Sequence, residues 1–181
     1  MPVRRLLFVC LAPALACAGA SPGTGVAPVE QHVAVPGSGT TLNVVATSAL
    51  SRREFAAPLD KVWKVLPAVF DSLSMPVSFL DPSTHSIGNR GYKVRGKLGK
   101  VGLARYIDCG TTQIGPNAES YDVTLTLTTA LAKTGEGATA MTIDFEASAK
   151  PMAFSQEPFR CSTKGNLEQR VNELTAALVS R

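Results

Sequence analysis

Histidine is scarce in this chain, with two in 181 residues, and there is a single tryptophan. His32 and His85 stand far apart. The four cysteines include no Cys-x-x-Cys, and no His-x-x-x-His occurs, so no metal-ligand spacing is present and no base has a triad partner in view. Charged residues reach only 18% beside 45% hydrophobic ones, a balance that suits a packed core and excludes a disordered chain. Long apolar runs are also missing: after residue 20 no stretch approaches the roughly 18 uncharged apolar residues of a spanning helix. The cationic excess is small. Lys plus Arg number 18 against 14 Asp plus Glu, and without Arg4 and Arg5 the remainder is 16 against 14, or +2, which is not the composition of a nucleic-acid binder. Gly96, Gly99 and Gly102 recur every third residue, a spacing that matches neither a dinucleotide fingerprint nor a P-loop. No cofactor is indicated and no catalytic residue can be named.

What is present starts with a targeting signal. Arg4 and Arg5 precede the apolar run 6–16 and then small residues, the layout of a secretory leader, and a run that short cannot cross about 30 Å of hydrocarbon. The segment Ala14-Leu15-Ala16-Cys17-Ala18 resembles the bacterial lipobox, which implies cleavage before Cys17 and its acylation. Cleavage after Ala20 is the competing reading and would discard Cys17. Acyl chains contribute about 0.8 kcal/mol per buried methylene, so an acylated Cys17 would hold the protein on a membrane without a spanning helix. The signal is thus assigned to 1–16, the lipidated cysteine with a flexible tether to 17–40, and one globular domain to 41–181. Residues 18–40 contain eight Gly or Pro and few bulky side chains, too little apolar surface to offset ordering entropy. His32 falls there, as a solvated residue. Cys109 and Cys161 remain as an even pair outside the cytoplasm, which points to a disulfide; two buried thiols are the alternative.

The domain is read as α+β. A first strand ends at Ser51-Arg52-Arg53-Glu54-Phe55, and Pro58 with Asp60 opens a helix carrying Val62, Leu66, Val69, Phe70 and Leu73 on one face. Pro67 inside it predicts a kink or break. The middle of the chain then alternates with period two. Strands are expected at 77–80, 85–98 and 101–109, and the clearest pair is 121–131 with 141–147, joined by a loop at 133–137. The stretch around Pro151 and Pro158 reads as irregular. Residues 163–179 form a terminal helix with Leu167, Val171, Leu174 and Leu178 on one face, capped by Ser162 or Thr163. An antiparallel sheet apolar on one side and Thr-rich on the other needs a cover on one face only, which the two helices supply.

This order, with Phe55-Ala56-Ala57-Pro58 leading into Asp60-Lys61-Val62-Trp63, resembles the helix-grip domains. Residues 69–77, Val69-Phe70-Asp71-Ser72-Leu73-Ser74-Met75-Pro76-Val77, make the chain more similar to BamC-like outer-membrane lipoproteins than to START-like carriers of apolar ligands. The first resemblance implies a periplasm-facing assembly or binding module. The second implies a cavity between sheet and terminal helix, and Tyr121, Leu125, Met141, Phe145 and Leu174 are its expected lining.

One charge pattern stands out. Arg90, Lys93, Arg95, Lys97, Lys100 and Arg105 are six cations in sixteen residues without an acid. They read either as a contact surface for an anionic envelope component or an acidic protein face, or as lysines protecting an exposed strand from edge pairing. Asp144 and Glu146 share a strand face and read as solvated carboxylates, and Trp63 as a packing residue. The functional expectation is a non-enzymatic, lipid-anchored envelope protein; the alternatives are an apolar-ligand carrier and, for location, a soluble secreted or periplasmic protein.

Overall fold

A computed structural model describes residues 29–34, 41–46, 50–152 and 157–181, so the expected leader, Cys17 and most of the tether lie outside the described residues. Within the expected tether, however, β1 (Val29–Ala34) pairs antiparallel with β2 (Thr41–Ala46), bringing His32 opposite Asn43. Residues 29–34 of the expected tether thus take part in strand pairing. Pairing in this ladder satisfies the backbone groups of the segment.

The domain is α+β. Its sheet has seven strands: β3 (Ser51–Phe55), β4 (Phe79–Asp81), β5 (Ser86–Val94), β8 (Ile107–Asp108), β11 (Asp122–Gly135), β12 (Ala138–Lys150) and β13 (Phe159–Thr163). Their order is β4–β5–β11–β12–β13–β8. The outer edge of β12 is shared: β3 pairs from Thr139 to Ile143, and β13 from Ala147 to Ala149. All of these pairings are antiparallel. Between β5 and β11 lie the short β6 (Lys97–Leu98), β7 (Val101–Gly102), β9 (Thr111–Thr112), β10 (Gly115–Pro116) and a one-turn α2 (Asn117–Ser120).

The helices α1 (Leu59–Ser72) and α3 (Asn166–Val179) pack against each other on one side of the sheet. Leu66 and Phe70 of α1 meet Leu125 and Leu127 of β11, Ile143 and Phe145 of β12, and Leu167 and Val171 of α3 in one buried cluster. Pro67 does not interrupt α1, contrary to the expectation of a break. A proline inside a helix costs about 3 kcal/mol. Full burial of Val62, Leu66, Val69 and Phe70, at about 1.5–3 kcal/mol each, outweighs that.

Other differences trace to pairing that local patterns do not encode. The expected strand 85–98 stops at Val94, and Gly96, at φ +70°, turns the chain into the small β6–β7 hairpin. The expected return strand 101–109 is instead β7, a 3-10 turn over Leu103–Arg105, and β8, which joins the far edge of the sheet beside β13. Part of the stretch expected to be irregular is β13, so Ser162 and Thr163 are strand residues rather than caps, and Gly165 at φ +75° precedes α3. The buried side of α3 also carries the polar stripe Glu168, Asn172 and Thr175, while Leu174 and Leu178 are only half-buried. Asn172 Nδ2 donates to Ser51 Oγ at 3.4 Å, and the Thr175 hydroxyl to the Val171 carbonyl at 2.8 Å.

The Cys109–Cys161 disulfide is present, with Cα atoms 4.5 Å apart. The register explains it. Ser162 lies opposite Asp108 and Thr163 opposite Ile107, so the next cross-strand pair is Cys161 with Cys109. Among the described residues no helix is long and apolar enough to cross a membrane.

Candidate functional site

Since both helices cover one face of the sheet, the polar positions of β5, β11 and β12 form a second face that no helix covers among the described residues, while β2 contacts β13. The register sorts this face into rows. Lys93 stands opposite Thr124, Thr124 opposite Ser148, and Ser148 opposite Arg160, one position from each of four strands. Beside this row, Asp122 stands opposite Lys150, with Arg95 reaching Asp122 from the end of β5. On the other side Thr126 lies between Arg90 and Glu146. Hydroxyls therefore form the floor, and cations stand at both rims.

A groove of about 700 Å³ opens over this face, lined by Lys93, Arg95, Asp122, Thr124, Ser148 and Lys150, with Val94, Val123 and Pro158. A smaller depression of about 190 Å³ continues it past Thr126, Glu146 and Arg160. Thr124, Thr126 and Ser148 are half-buried, and their hydroxyls have no protein partner among the described residues. Lys93 and Lys150 are exposed and likewise unpaired.

Two acids on this face, Asp122 and Glu146, are paired with arginines. Arg95 Nε donates to Asp122 Oδ1 at 3.0 Å and its Nη2 to the same oxygen, while Arg160 Nη1 lies 3.4 Å from Glu146 Oε1. Exposed pairs of this kind contribute about 0–1 kcal/mol, so they can be exchanged for a ligand at little cost. The Asp144 carboxyl is pushed above the ordinary range, chiefly by partial burial and then by the nearby Glu146, with Arg160 opposing. It is half-buried rather than fully solvated.

The six cations of the sequence pattern are distributed over several elements. Arg90, Lys93 and Arg95 share the uncovered face. Lys97 and Lys100 lie in the β6–β7 hairpin, and Arg105 in the 3-10 turn. Arg90 also lies 4.1 Å above the Phe79 ring, a cation–π contact at the sheet edge. Conversely, Lys150, Arg160, Asp122 and Ser148 belong to the groove and lie far from the cation cluster in sequence. The signal for Ser148 and Lys150 was the phase of β12, where Ala147 and Ala149 are buried and these two are not.

The expected cavity residues sit differently. Leu125, Met141 and Phe145 are fully buried within the core cluster, and Tyr121 and Leu174 pack half-buried at its margin. Tyr121 meets Phe159 edge-on at 6.2 Å between ring centres. Trp63 meets His85 edge-on at 5.6 Å, and His85 occupies a turn at φ +48°. No known protein family matches the chain, and no curated protein is detectably similar to it.

Proposed function

We propose that this chain is a non-enzymatic binding or assembly module, held on a membrane of the bacterial cell envelope through an acylated Cys17 and facing the periplasm, with the uncovered sheet face as its working surface. The observation that carries the reading is that face: hydroxyls without partners among the described residues between two rims of cations, opposite a face closed by helices. The leader, the cysteine after Ala16 and a disulfide that suits an oxidising compartment support the location. The order of strand, helix, antiparallel strands and terminal helix supports kinship with the helix-grip domains, in their BamC-like form. The full burial of Leu125, Met141 and Phe145 weighs against the carrier.

Anchoring is tested in cells by globomycin and by Cys17→Ser. The expected result is an accumulated precursor and loss of acyl labelling, with the Cys17→Ser protein unacylated. Normal processing, or unchanged membrane attachment of Cys17→Ser, overturns the anchored reading.

A further inference from the structure

We propose that the groove on the uncovered face is a phosphoryl-binding site, centred between Thr124 and Ser148 and taking a phosphomonoester. The inference deepens the binding-module reading, resting on its assignment of the working face but not on the lipid anchor.

Thr124 and Ser148 are direct cross-strand partners, and side chains so placed have Cβ atoms about 4.5–5.5 Å apart. Two hydroxyls at that separation can donate to two oxygens of one tetrahedral group lying over them. Neither hydroxyl has another partner among the described residues, and both are half-buried in the floor of the groove. Lys93 extends the same row from β5, and Lys150 stands two positions beyond Ser148 on the same face. Both ammonium groups are unpaired among the described residues.

Charge selects the ligand class. The two free ammonium groups supply two positive charges, and a phosphomonoester carries about −1.5 to −2 at neutral pH. The nearest other charges are the pairs Arg95–Asp122 and Arg160–Glu146, and Arg90, in the row of Thr126, is engaged over the Phe79 ring. A carboxylate would use one ammonium and leave the other unmatched. A neutral sugar would use the hydroxyls and neither ammonium. The source of the phosphoryl group, a soluble phosphate ester or the headgroup of a lipid, is decided by experiment.

The test uses the full mature chain and follows backbone amide shifts during titration with inorganic phosphate and with glycerol phosphate, with acetate at equal ionic strength as control. The expected result is saturable shifts centred on Thr124 and Ser148, absent with acetate. Lys93→Gln with Lys150→Gln should weaken binding about 25-fold, taking about fivefold for each ammonium. Thr124→Val with Ser148→Ala leaves charge unchanged and should weaken it about tenfold, which a diffuse basic surface would not show. Both variants alter outward-facing positions, and retained shift dispersion verifies their folding. Vesicles of phosphatidylcholine doped with phosphatidic acid compete with glycerol phosphate if the site takes a lipid headgroup, and fail to compete if it takes a soluble ester. Absence of saturable shifts, equal shifts with acetate, or undiminished binding by the hydroxyl variant overturns the proposal. Phosphate binding by a protein that is not acylated would leave the site standing and refute only the anchor.

Discussion

Replacing both Cys109 and Cys161 by alanine should destabilise the domain by about 4 kcal/mol, because the bond closes a loop across a sequence separation of 52 and so restricts the unfolded chain. Domains of this size are stable by roughly 5–15 kcal/mol, so the loss is a large fraction of the whole. The folded state has little with which to compensate. β8 is joined to β13 by two residue pairs, and the neighbouring links are Lys164 N–H to the Tyr106 carbonyl at 2.9 Å, Lys164 Nζ to the Ala104 carbonyl at 2.8 Å, and Asn166 Nδ2 to the Arg105 carbonyl at 2.7 Å. Urea unfolding followed by circular dichroism, with fluorescence of the single tryptophan, measures the change. The midpoint should fall, and the dependence on urea should steepen, because an uncrosslinked chain exposes more surface when unfolded. The thermal midpoint should drop by about 15 °C. A variant within about 1 kcal/mol of the parent, with an unchanged urea dependence, would refute the unfolded-state argument.

Gly88→Ala should cost about 3 kcal/mol or more in the same assay, because the added Cβ would lie 2.3 Å from the Leu127 carbonyl oxygen and 2.9 Å from the Thr128 Cα, both backbone atoms; a neutral result would contradict this packing. Asp81 should titrate at about 2 by nuclear magnetic resonance, held down first by the Ser83 hydroxyl and then by that of Thr84, and Ser83→Ala with Thr84→Val should return it toward its ordinary 3.8. Its stabilising contribution is present above about 3.8 and is lost as pH falls through about 2. Glu168 has the opposite sign. Burial raises its carboxyl above the ordinary 4.5, against the Thr163 hydroxyl and its own amide, so ionisation removes stability as pH rises past that value. Glu168→Gln should abolish that part of the pH dependence, and an identical slope in the variant would count against the burial argument.

Helix α1, the β11–β12 hairpin and the amphipathic course of α3 were legible in the sequence because each is written in residues a few positions apart: Val62, Leu66 and Val69 at helical spacing, and Val123, Leu125 and Leu127 alternating with threonines. The α+β class and the single covered face followed from those patterns. Cysteine parity named the Cys109–Cys161 pair, although only the β8–β13 register shows why the two meet. What adjacent residues do not encode was left to the tertiary structure. The continuity of α1 through Pro67 depends on burial against a sheet formed later in the chain. The position of β13 depends on the free edge of β12, and the burial of Glu168 and Asn172 on where α3 settles. The groove is the clearest case. Lys93 could be singled out from local charge, but Thr124, Ser148, Lys150 and Arg160 join it only through strand pairing, since an antiparallel register brings together residues far apart in sequence and sets them within side-chain reach.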